Sequence, residues 1–227
     1  MPGKKRSHST KREKRSKKRG SVITGYNSAK SVLPGPLKNN VQVSMVYHDT
    51  FALDVGTGGI PAQYHFSANS LFDPNATGVG HQPRGYDELM SLYERYAVLK
   101  AKITLSFANS ETNKAVIVGV TMDDNTSAVT TVNELMEQRY ISYAIVGPKS
   151  AQNTGAVSIE IDPSKFLGIS NKSEAMQGTA AANPNDRCYF RCFAQPAEAT
   201  VDIFPVYCTV RIEYTARLSK PKTIGDS

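Results

Sequence analysis

Apolar residues recur at every second position over several long runs of this chain, and that alternation predicts strands. Val41, Val43, Met45, Tyr47, Phe51, Leu53 and Val55 fall on one face of a first strand, interrupted only at Asp49, where a bulge or bend is expected. Gly56 to Gly59 turns the chain into a second strand over residues 60–67. Asp73-Pro74-Asn75 and Thr77-Gly78 are turn formers, and Pro83 stiffens the approach to Gly85. Here the period changes. Tyr86, Leu89, Met90 and Tyr93 recur at i, i+3, i+4 and i+7, with Asp87 and Glu88 at the positive end of a short helix. From Ala97 the period is two again, with Ala97, Leu99, Ala101, Ile103, Leu105 and Phe107 on one face. Lys100, Lys102, Thr104 and Ser106 take the other, so this third strand is half-buried.

Residues 115–122 are apolar on both faces and predict a fourth strand covered on both sides. Thr131 to Glu134 fits a capping box and starts a short helix through Arg139. A fifth strand follows over 140–146, and a sixth carries Val157, Ile159 and Ile161. Asp162-Pro163 and Gly168 frame one helical turn, with a capping Asp and a stopping Gly. After a polar loop from Ser170 to Asp186, residues 187–194 and 205–216 supply the last two strands, and the end from Ser219 should fray. Eight strands with long, irregular connections predict an all-β fold, an eight-stranded jelly-roll β-sandwich of two four-stranded sheets with short helices in the loops. An up-and-down barrel would need tighter hairpins. The sandwich is expected over 41–218, between a linker at 21–40 and a flexible end at 219–227.

Charge separates the chain into two parts. Residues 1–20 carry ten cations, Lys4, Lys5, Arg6, Lys11, Arg12, Lys14, Arg15, Lys17, Lys18 and Arg19, against Glu13 alone, a net of +9. The other 17 Lys/Arg face 19 Asp/Glu, a net of −2, which recovers the total of +7. Like charges at this density, with no apolar residue among them, predict a disordered basic N-terminal arm. Dense accessible cations suit both phosphate binding and nuclear localisation. The arm holds no aromatic residue for base stacking, so its contacts should be to phosphate and carry little sequence information. No apolar run of about 18 residues suggests a membrane span, and no secretory signal is evident, so no membrane partner is expected.

Candidate chemistry is sparse. Cys188 and Cys192 lie four apart on one strand face with Phe190 between them; with Cys208 they suit buried reduced thiols. His8, His48, His65 and His81 are too scattered for a zinc site, and no metal or other cofactor is expected. Asp123-Asp124-Asn125 has the composition of a calcium turn, but such a turn more often satisfies its own backbone. His81 sits in a loop with no acid fixed beside it and reads as a hydrogen-bonding or interface residue. Tyr64, Tyr86, Tyr93 and Tyr96 read as packing residues. There is no G-x-S-x-G elbow, phosphate loop or Ser-His-Asp order, so no catalytic residue is assigned and an enzyme is not expected.

The run Phe72-Asp73-Pro74, then Gly80-His81-Gln82-Pro83, then Gly85-Tyr86-Asp87-Glu88-Leu89, a Tyr-rich helix and a long strand, resembles the capsid proteins of circular Rep-encoding single-stranded DNA (CRESS-DNA) viruses, the circovirus-like group. The resemblance implies a jelly-roll coat protein that self-assembles as a homo-oligomer into a small icosahedral T=1 shell of sixty copies. It also implies a circular single-stranded DNA genome as cargo, host nuclear import receptors as partners, and a location in the virion and the host nucleus. Two alternatives stay open: the coat protein of a small RNA or satellite virus, and a cellular nucleic-acid-binding β-domain protein. The second would need a basic face or stacking aromatics on the folded body. A jelly-roll enzyme or sugar-binding module fits less well, because the chain has no Trp and no histidine cluster.

Overall fold

The computed structural model describes residues 36–55, 59–198, 202–203 and 205–223. They belong to one compact unit, Gly35–Ser227; the other, Met1–Pro34, lies outside the described residues. The strands are β1 (Asn40–Leu53), β2 (Ala62–Ser67), β3 (Tyr93–Asn109), β4 (Val116–Asp123), β5 (Ile141–Val146), β6 (Thr154–Ile161), β7 (Tyr189–Pro196) and β8 (Val206–Pro221). Short helices α1 (Tyr86–Leu92), α2 (Val132–Met136) and α3 (Pro163–Leu167), with a 3-10 turn at Glu174–Met176, occupy the connections.

Strand pairing shows how the chain is wound. β1 pairs with β8, β2 with β7, β3 with β6 and β4 with β5, all antiparallel. The chain is thus a long hairpin whose two halves run back along each other, and the β3–β8 and β4–β7 pairs roll it into two layers. The first sheet has the order β1-β8-β3-β6 and the second β2-β7-β4-β5, the topology of a jelly roll. Side chains from both inner faces form one core, including Tyr47, Phe66, Ile103, Leu105, Val118, Val120, Phe190, Val210 and Ile212.

Local details depart from the sequence pattern in instructive places. β1 has no bulge at Asp49, since its register with β8 is continuous from Asn40↔Ser219 to Leu53↔Val206. The irregularity lies in β3, between Val98 and Lys100. It shifts the phase, so that Tyr96 and Val98 precede Ala101, Ile103, Leu105 and Phe107 in the core; Ala97 is buried as expected, while Leu99 is only half-buried. α2 stops at Met136, short of Arg139, while its start is as expected: Thr131 Oγ1 accepts the Glu134 N–H. At α1, Gly85 takes φ 85°, a left-handed turn that glycine makes without strain. α3 is capped by Asp162 and stopped by left-handed Gly168. β8 continues beyond Ser219 to Pro221, and there Lys220 holds φ 56°, the one positive φ outside glycine among the described residues.

Candidate nucleic-acid interface

The ten cations of the arm, Lys4 to Arg19, lie outside the described residues. On the folded unit, the surfaces open to a ligand follow from how the sandwich closes its faces and edges.

The outer face of the second sheet is covered over β7 and β4, while Tyr143 and Ile145 on the edge strand β5 stay exposed. Residues 124–140, which carry α2, fold over it, and every residue of β7 is buried. Arg191, 1% exposed, fastens the cover: its Nη1 donates to Ser127 O and Gln63 Oε1, each at 2.5 Å, and its Nη2 donates to Asp123 Oδ2 at 2.5 Å. The Gln63 amide pairs both ways with the Val129 backbone, accepting at 3.1 Å and donating at 2.7 Å. The rest of the Asp123 turn satisfies itself, since Asp123 Oδ1 accepts from the Asp124 and Asn125 N–H groups. An Arg-paired aspartate that caps its own turn is not arranged as a calcium site. His65, opposite Arg191 across the β2–β7 ladder, has its pKa lowered to about 4 by burial and by the Arg191 charge.

The edge between β1 and β2 is closed by the stretch that carries the family resemblance. Residues 74–76 turn back along β2, with Ser67 N donating to Pro74 O and Ala76 N to His65 O. Asn75 then ties the edge together: its Nδ2 donates to Asp49 Oδ2 and Tyr64 Oη, and its Oδ1 accepts from Thr77. Asp49 also accepts from the Tyr47 hydroxyl at 2.7 Å, which explains how an aspartate fits the core-facing phase of β1 without a bulge. Gly80 is pressed against this cluster; a Cβ there would stand 2.6 Å from Asn75 Cβ and 2.7 Å from Tyr47 Oη. His81 packs on the Tyr47 ring at 4.7 Å and lies within hydrogen-bond distance of His48 O and Gln82 O. Those two carbonyls favour the imidazolium and raise the His81 pKa, as expected for a loop histidine with a hydrogen-bonding role. Tyr86, Tyr93 and Tyr96 are buried packing residues, and Tyr64 stacks on Phe51.

Among the described residues, nothing covers the outer face of the first sheet. Along β8, exposed or half-exposed Tyr207, Thr209, Arg211, Glu213, Thr215 and Arg217 alternate with buried core residues. In the middle of the face Lys100 pairs with Glu160 at 2.8 Å and Arg211 with Glu213, and exposed Lys102 stands between the same two acids in the strand register. One end is a shallow depression of small residues, Thr50, Ala52, Ser106, Ala108 and Ala156, without a charge. The other end, where β1 starts and β8 finishes, carries Lys172, Arg217 and Lys220. These three were not singled out from sequence, because they belong to a loop and two strand positions that only the register brings together. Arg191 was missed for a related reason: as one cation in an apolar strand it gives no hint of the cover it fastens. Cys188, Cys192 and Cys208 are buried free thiols, and burial pushes Cys188 and Cys208 up to about 12.

No family model matches the chain, and no curated protein matches it. Among solved structures, Desmodium yellow mottle tymovirus is 16% identical, with 88% of this chain and 100% of that chain covered at a TM-score of 0.42. The decameric BFDV capsid protein is 12% identical, with 80% of this chain and 99% of that one covered at 0.43. Cocksfoot mottle virus is 11% identical, with 98% and 97% covered at 0.46. At these values the likenesses assign neither a family nor a function.

Proposed function

We propose that this chain is a viral capsid protein, a jelly-roll unit that assembles with its own copies into a closed shell and packages nucleic acid through its basic N-terminal arm. The observation that carries the reading is the segregation of charge: a net of +9 within twenty residues, joined to a folded part of net −2. A polycation tethered to a charge-balanced unit concentrates polyanion binding at one end and leaves the unit free to pack against copies of itself. The resemblance of residues 72–89 to the capsid proteins of CRESS-DNA viruses supports a circular single-stranded DNA cargo, a shell of sixty copies, and passage through the host nucleus by import receptors that read the same basic run. The arm binds phosphate, so the chemistry of its contacts suits RNA equally, and identifying the packaged nucleic acid decides between them.

The arm is tested by replacing its ten cations with Ser. Binding to single strands has a log-affinity against log-salt slope of about −0.7 per phosphate neutralised, so the full arm gives roughly −7. The substituted protein should lose most of that slope, fill no particles and stay out of the nucleus, with an unchanged circular dichroism spectrum. Retention of the full slope would place the principal site on the sandwich and overturn the arm reading.

A further inference from the structure

A groove of about 560 Å³ lies at the basic end of the first sheet's outer face, walled by Asn39 and Asn40 at the start of β1, Arg217 and Lys220 on β8, and Lys172 and Gln177 on the loop before β7. It has three cations and no carboxylate in its lining, with amides between them. This is unlike the middle of the same face, where Lys100 and Arg211 have acidic partners. Among the described residues no ion pair neutralises Lys172, Arg217 or Lys220. The nearest paired acid on this loop, Glu174, is directed to Arg95 at 3.9 Å.

The groove is also held in shape. Arg217 Nη1 donates to Asn171 Oδ1 at 3.1 Å and Nη2 to Asn171 O at 2.7 Å, so the guanidinium plane is fixed by neutral acceptors that leave its charge intact. The loop that bears Lys172 is closed on itself by Gln177 Nε2 donating to Lys172 O at 2.8 Å. It is anchored to β3 by reciprocal backbone bonds between Tyr96 and Gly178, at 3.0 and 2.9 Å. Lys220 stands in a left-handed conformation that a lysine adopts at a cost, and such strain concentrates where a side chain is aimed for function. A fixed guanidinium, two lysines and amide donors on a concave surface match consecutive backbone phosphates.

We propose that this groove is a second nucleic-acid site, which binds the phosphate backbone of a single strand through Lys172, Arg217 and Lys220 without reading its bases. The ligand class rests on the proposed packaging function, whereas the site is separate from the arm. It gives the packaged strand a fixed seat on each folded unit, so that contact is made at a defined place on the sandwich as well as by the arm.

The test uses the full chain and a fluorescent dT20 strand, with affinity measured by anisotropy across a salt series. Four proteins are compared: the unaltered chain, K172Q/K220Q, the arm with its ten cations changed to Ser, and both sets together. Lys172 and Lys220 are exposed, so the double variant leaves the Arg217–Asn171 bonds in place. The arm variant should retain weak binding with a slope of about −2, from three phosphate contacts. K172Q/K220Q should flatten the slope by about 1.4 in either background, a roughly sevenfold smaller loss of affinity between 50 and 200 mM salt. Substituting dA20 should change neither slope. The groove is overturned if K172Q/K220Q leaves affinity and slope unchanged in both backgrounds, or if the arm variant binds nothing at the lowest salt. The arm reading fails separately, if the arm variant keeps the slope of the unaltered chain.

Discussion

At the scale of single residues, the tyrosines set the precision of the sandwich ends. Tyr96 is buried in the core, and its hydroxyl accepts the Leu71 and Phe72 N–H groups and meets Ser70 Oγ at 3.1 Å. Tyr214 donates to Ser67 O at the end of β2, at 2.7 Å, and Tyr86 to Thr179 O at 2.7 Å, so all three rings end on backbone. Tyr96→Phe keeps the ring and leaves the buried Leu71 N–H and the half-buried Phe72 N–H without their acceptor, a cost on the order of 1–3 kcal/mol. A urea titration should show that loss at an unchanged m value. A second residue sets a pH dependence. His65 is neutral when folded, with its pKa lowered from 6.5 to about 4. A lowered base favours the folded state fully above pH 6.5, and that contribution disappears as pH falls toward about 4, because the unfolded chain takes up the proton first. Between pH 7 and 4.5 the unaltered protein should lose more stability than His65→Gln; equal losses would mean that His65 is not held neutral. Neither role was legible in sequence. Periodicity marked Tyr96 and Tyr86 as packing residues, and their hydroxyl partners come from loops far along the chain.

At the scale of elements, alternation marked the half-buried strands, which must place every second side chain in the core, and short apolar runs between turn formers marked the others, such as 115–122. Phase was harder. Periodicity puts a break at Asp49, the one polar residue in an apolar set, yet Asn75 and the Tyr47 hydroxyl satisfy that carboxylate and the register runs through it. The true irregularity, at Val98 to Lys100, hides in a run where both phases look apolar. The cover over the second sheet was half legible. The two-sided apolar character of 115–122 predicts a strand buried on both faces, and β4 is one, but nothing local says that residues 124–140 supply the second layer. Arg191 is its fastening, and breaking a buried, hydrogen-bonded ion pair costs on the order of 3–5 kcal/mol. In Arg191→Met, hydrogen exchange should accelerate across 124–139 ahead of the core strands. Uniform acceleration would show that Arg191 stabilises the whole sandwich and is not specific to the cover.

At the scale of the whole molecule, the jelly roll covers most of one outer face with its own chain and seals one edge with the 73–82 loop; the other outer face is left uncovered by the described residues, with its basic end beside the start of β1. Charge distribution was fully legible from the sequence, and so was the fold class; the groove was not, because Lys172, Arg217 and Lys220 meet only through strand register. If sixty copies build a shell, arms of net +9 offset on the order of 540 phosphates, which leaves a role for fixed contacts on the sandwich and for small cations. The central claim is that this protein builds a container for nucleic acid. Electron microscopy of the purified protein, paired with nuclease digestion and identification of what survives, tests it most directly. The account predicts closed particles of uniform size that protect single-stranded nucleic acid, and empty or absent particles when the ten arm cations are replaced by Ser. Protein that remains monomeric at high concentration and leaves its bound nucleic acid open to nuclease would contradict it.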